Sequence, residues 1–181
     1  KARLVLSFGA DLVGASISPL HYSRMYQQFR TGDRGMLIAV EPKMTLTGAN
    51  ADLWLPARPG TEGIVALGLA YLLVNKYGVS KDALPAAVLS RLDQYTPGKV
   101  QDATGVPMKY LEKVAQALSE RRPSAVIAGT AAQRQSHGYD AASAAMLLNI
   151  LLGNVNETIV SSGGFPFPQL QAKVAGTRDT V

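Results

Sequence analysis

Three stretches of the chain are apolar almost without interruption: Arg3-Leu-Val-Leu-Ser-Phe8, Met36–Val40 and Ser124–Gly129. Strands with one solvated face alternate, whereas strands of a parallel sheet are buried on both faces and read as continuous runs. A fourth, shorter piece, Leu53–Leu55, stops at Pro56. Pro42 cannot donate to a ladder, so the second strand should end at Glu41. Between these runs the spacing becomes helical. Ser18 as cap with Pro19 at the first position predicts a helix to Arg30. Thr61 as cap with Glu62 in the first turn predicts another to about Val74. Leu111, Val114, Ala115 and Leu118 mark one buried stripe of a helix over Met108–Arg121. Tyr139–Leu152 reads as a helix closed by Gly153-Asn154, and Ser80–Leu92 as holding one short helix. Tyr95-Thr-Pro-Gly98 reads as a turn, Thr31–Gly35 and Gln133–Gly138 as loops, and Gly163–Pro168 as an extended connector.

Strands joined by helical crossovers predict a three-layer α/β domain with a mainly parallel sheet. The domain should occupy residues 1–160, with 161–181 as connector. Arg3–Phe8, Met36–Val40 and Ser124–Ala128 should be parallel neighbours. The helices Gly63–Val74 and Tyr139–Leu152 are apolar on more than one face, while a surface helix needs only one stripe of about 100°. Their excess calls for cover, either from this chain or from further protein.

The junctions carry the candidate chemistry. Gly9-Ala10-Asp11 follows the first strand, Glu41 ends the second, and Pro59-Gly60-Thr61-Glu62 opens the long apolar helix. Acids at strand carboxyl ends and a helix start form a nucleotide-handling geometry; an ordinary turn and a solvated carboxylate remain the plain alternatives. Composition narrows the field further. Lys+Arg 18 against Asp+Glu 13 gives +5, but the basic residues are scattered and form no nucleic-acid stripe. With no cysteine, disulfides, iron–sulfur ligation and thiol chemistry are excluded within the chain. His21 and His137 have no ligand-spaced neighbours for a metal, and no apolar run approaches the roughly 20 residues of a membrane span. Tyr22, Tyr26 and Phe29 suit packing on one helix, and Arg134 with His137 suits a polar loop. The start at Lys1, directly into a strand, leads us to expect a fragment of a larger subunit.

The pattern Glu41-Pro, Thr45-x-Thr47, Ala51-Asp52, Leu55-Pro, Arg58-Pro-Gly-Thr-Glu62 resembles the molybdopterin oxidoreductase superfamily. So do Thr104-Gly-Val-Pro107 with its helix, Pro123–Gly129 and the helix ending Leu148–Asn154. In that superfamily the matching acid and the Pro-Gly-Thr-Asp turn contact the guanosine half of a pterin dinucleotide. The resemblance therefore implies a pterin-nucleotide pocket at Gly9, Asp11, Glu41, Gly60, Thr61 and Glu62. Glu62 departs from the usual Asp. Phe8-Gly-Ala-Asp11, Ser18-Pro with its aromatic helix to Phe29-Arg30, and Gly153-Asn-Val-x-x-Thr158 look more narrowly like the iron–sulfur subunit of bacterial alternative complex III. In that family the molybdopterin-like half is thought to hold no pterin, and the pocket would be vestigial.

This narrower resemblance implies a non-catalytic scaffold domain of a quinol-oxidising electron-transfer complex, with no cofactor in this segment and iron–sulfur clusters elsewhere in the parent subunit. Its partners would be cytochrome c-type and quinol-binding membrane subunits, and its place the periplasmic side of an inner membrane, with no span and no nucleic acid. The alternative is an active oxidoreductase domain in which Asp11, Glu41, Thr61 and Glu62 bind molybdopterin guanine dinucleotide. A free-standing nucleotide-binding regulator is a third possibility, disfavoured by the connector-like tail.

Overall fold

The computed structural model describes residues 1–16 and 18–160, so the expected connector at 161–181 lies outside the described residues. Four strands form one parallel sheet in the order β3-β2-β1-β4. They are β1 (Leu4–Phe8), β2 (Met36–Val40), β3 (Leu53–Leu55) and β4 (Ser124–Ala128). In register, Leu4 lies opposite Met36 on one side and Ser124 on the other, so the three apolar runs are parallel neighbours as the sequence predicts. β2 closes at Val40, one residue before Glu41, and Glu41 N–H donates instead to Leu55 O at 3.2 Å.

The sheet has two unlike faces. Leu4, Leu6, Phe8, Ile38, Val40, Leu55 and Val126 point into the main core. That core is closed by α3 (Glu62–Asn75), α4 (Ala86–Leu92), α5 (Pro97–Thr104), α6 (Met108–Glu120) and α8 (Gly138–Leu151). α3 lies at its centre and packs on α8, α6, α5 and α4. The expected surplus of apolar surface on α3 is therefore absorbed within the chain; Val65, Leu69 and Leu73 are fully buried. Two glycines allow the approach. A Cβ at Gly68 would lie 2.7 Å from Val100 of α5, and one at Gly63 would lie 3.1 Å from the backbone of Ala141 in α8. The opposite face is covered only in part, by α1 (Pro19–Arg30), a helix with no buried residue.

Some local expectations are corrected. The Tyr95–Gly98 turn is the start of α5: Pro97 stands at the first helical position, where its missing N–H costs nothing, and Gly105 ends the helix at φ 77°. Ser80–Leu92 splits at Pro85 into a 3₁₀ turn, Lys81–Ala83, and α4. Two four-residue helices, α2 (Leu46–Ala49) and α7 (Thr130–Gln133), occupy stretches with no helical spacing to announce them. Ser18 and Thr61 stand at helix starts without making a side-chain cap bond; Thr61 Oγ1 donates to Arg58 O at 2.7 Å instead.

The free edge of β4 is closed by side chains. Asn149 accepts from Val126 N–H at 3.0 Å and donates to Val126 O at 2.8 Å, as a neighbouring strand would. Asn154 accepts from Ser124 N–H at 3.3 Å, Thr158 Oγ1 donates to Ser124 O, and Gln133 donates to Ala128 O at 3.2 Å. Asn149 and Asn154 are themselves joined at 2.9 Å and buried, so their polar groups are satisfied where an orphaned group would cost ~1–3 kcal/mol.

Candidate functional site

The loops that follow β1, β2 and β4 meet at the carboxyl ends of the strands, where open parallel sheets place their ligands. Gly9 makes the first of these meetings possible. Its φ of 59° is a left-handed value, and a Cβ there would lie 2.9 Å from Ala132 N of α7. Its N–H donates to Val40 O at 3.0 Å, tying the β1 loop to the end of β2. Ser7 Oγ donates to Ala10 O at 3.0 Å and accepts from Ala10 N–H, which fixes the turn.

Asp11 is used by its own chain. One carboxylate oxygen accepts from Gly14 N–H at 3.1 Å and Thr47 Oγ1 at 3.0 Å; the other accepts from Ala15 N–H at 2.9 Å. Thr47 in turn accepts from Val13 N–H at 3.1 Å, so this acid staples its loop to α2. Glu41 is only 1% exposed. Its carboxylate accepts from Thr45 N–H at 2.7 Å and from Thr45 Oγ1 at 3.0 Å, holding the residue that caps α2. A Cβ at Gly48 would fall 2.1 Å from Glu41 Oε1, so α2 can lie over this acid only with glycine there.

Gly60 lies beside the segment that follows α7. Gly60 adopts φ 79°, and a Cβ there would have Gln135 as its nearest neighbour, at 4.0 Å. Glu62 is 1% exposed at the start of α3, and both its carboxylate oxygens are buried with no hydrogen-bond partner among the described residues. Neither a backbone amide nor a basic side chain bonds to it. The structure thus joins Asp11 with Thr47, and Glu41 with Thr45, through direct bonds, and shows no bond from either acid to Gly60–Glu62.

The remaining sequence candidates divide cleanly. His137 is exposed with Nδ1 3.5 Å from Asp140, and no group of three metal-ligating side chains occurs among the described residues. His21 lies on α1 itself, edge-on to Tyr22 at 5.7 Å. Sequence reasoning missed the clamp that fastens α1. Arg30 donates to Gly35 O at 2.8 Å, Asn50 O at 2.7 Å and Asp52 at 2.5 Å, and Tyr26 also donates to Asn50 O at 3.0 Å. Burial alone would lower the Arg30 pKa; its bonds to Tyr26 and Asp52 outweigh that and hold it above its ordinary value. Burial would likewise raise the Asp52 pKa, but the Leu37 N–H and the Arg30 guanidinium bring it below the ordinary carboxylate value. Asp52, with the Asn50 carbonyl, therefore holds α1 to the start of β3.

Tested against a pterin dinucleotide, this donor set does not fit as it stands. Asp11 and Glu41 already accept bonds from their own loops; the Glu62 oxygens alone are left without a partner among the described residues.

Comparison with known proteins gives the chain its relatives. The model of the family described as molybdopterin oxidoreductase matches residues 1–180. The chain is 36% identical over 86% of its length to a menaquinone reductase, molybdopterin-binding-like subunit of Nitratidesulfovibrio vulgaris, covering 23% of that protein. It is 29% identical over 90% of its length to a dimethyl sulfoxide reductase of Escherichia coli, again covering 23%. Acetylene hydratase from Pelobacter acetylenicus has the same fold, with a TM-score of 0.69 and 21% identity over 84% of this chain and 21% of that one. The chain thus spans about a quarter of the length of the curated relatives it matches. A parallel sheet built on these runs, the Glu41-Pro and Pro59-Gly-Thr-Glu62 junctions and a family match from end to end lead to one conclusion: the chain belongs to the molybdopterin oxidoreductase family.

Proposed function

We propose that this chain is a non-catalytic scaffold domain within a longer iron–sulfur subunit of a quinol-linked electron-transfer complex of the alternative complex III type. In this reading it holds its parent subunit's iron–sulfur half and the neighbouring cytochrome c-type and quinol-binding membrane subunits at electron-transfer distance. It sits on the periplasmic side of a bacterial inner membrane and carries no cofactor of its own. The observation that carries the reading is the state of two of the acids: Asp11 and Glu41 are spent on their own loops. A pocket kept for a nucleotide would leave such acceptors facing open space, as binding sites place a few polar groups to fix a ligand's orientation. The similarity to a menaquinone reductase subunit whose name reads molybdopterin-binding-like supports the same class. The absence of a helix long and apolar enough to cross a membrane, among the described residues, fits a peripheral position.

The second reading is an active oxidoreductase domain, and one feature favours it. Glu62 has a buried carboxylate with no partner, and a guanine edge would supply N–H donors to it. Molybdenum, tungsten and pterin analysis of the purified native assembly decides between the two. The scaffold reading expects no stoichiometric molybdenum, tungsten or pterin assignable to this subunit; a pterin retained one to one and lost in Glu62→Gln establishes the second.

A further inference from the structure

We draw no further inference here: the strongest candidate, the apolar groove between α1 and the sheet face floored by Val5 and Ile127, carries nothing, because nothing in the structure shows what covers it.

Discussion

The two faces of the β-sheet are made by the same strands and fare differently. Leu4, Leu6, Phe8, Ile38, Val40 and Val126 look into a core closed by five helices. Val5, Leu37, Ala125 and Ile127, one residue out of step with them, look onto a groove that α1 covers only in part. Side chains alternate along a strand, so the sequence supplies both faces with apolar residues, the larger share to the core face. What differs is the covering helix. α3 is apolar all round and is enclosed by its neighbours, whereas α1 leaves Leu20 67% and Met25 50% exposed and is held by polar bonds at its carboxyl end. One face is held by packing, the other by a clamp.

The sharpest way to break this comparison is to truncate a side chain on each face. Leu69→Ala, in the fully buried middle of α3, should cost ~2–5 kcal/mol in urea unfolding, whereas Met25→Ala in the same chain should stay within about 0.5 kcal/mol. Equal losses would mean that the two faces are alike after all. A second test removes the seal on the β4 edge. Asn149→Ala leaves the Val126 N–H and C=O without partners, at ~1–3 kcal/mol for each group, and should speed amide exchange at Val126. Unchanged exchange would mean that the edge is protected by something else.

The two buried acids near the sheet's carboxyl end should respond in opposite directions. Glu62→Gln replaces a buried carboxyl group with no partner and should raise stability by ~1 kcal/mol or more. Glu41→Gln weakens the charge-assisted bonds from Thr45 and should lower it by ~1 kcal/mol. Thermal unfolding of both at neutral pH gives the signs; a fall in Tm for Glu62→Gln would point to a partner for that carboxylate. The smallest effect belongs to the clamp. The folded pKa of Asp52 lies below its ordinary 3.8, so its contribution is complete above that value and is lost as the pH falls through the lower folded pKa. The pair is partly exposed and worth only ~0.2–1 kcal/mol, so acid titration followed by amide exchange in α1 is the sensitive readout. Asp52→Asn should abolish that pH dependence while leaving the α3 side unchanged.

By itself the sequence determined the class of fold. Short continuous apolar runs of about five residues bounded by turn residues suit strands buried on both faces, and Pro42, Pro56 and Pro19 mark where strands stop and a helix starts, because a missing N–H acts locally. The Gly9–Asp11, Glu41 and Gly60–Glu62 junctions were legible for the same reason: turn chemistry is written in adjacent residues. The sequence read Pro97-Gly98 as a turn and not as a helix start, because that pair serves either purpose until packing on α3 chooses. It also placed the uncovered apolar surface on α3 and α8, since a one-dimensional pattern counts apolar positions without saying what lies opposite them. Only the tertiary structure decided that α3 is enclosed, that Asp11 and Glu41 bond to their own loops, and that the open face lies under α1. These are contacts between residues far apart in the chain: Asp11 meets Thr47, and Asn149 meets Val126, because the sheet order β3-β2-β1-β4 brings their loops and edges together.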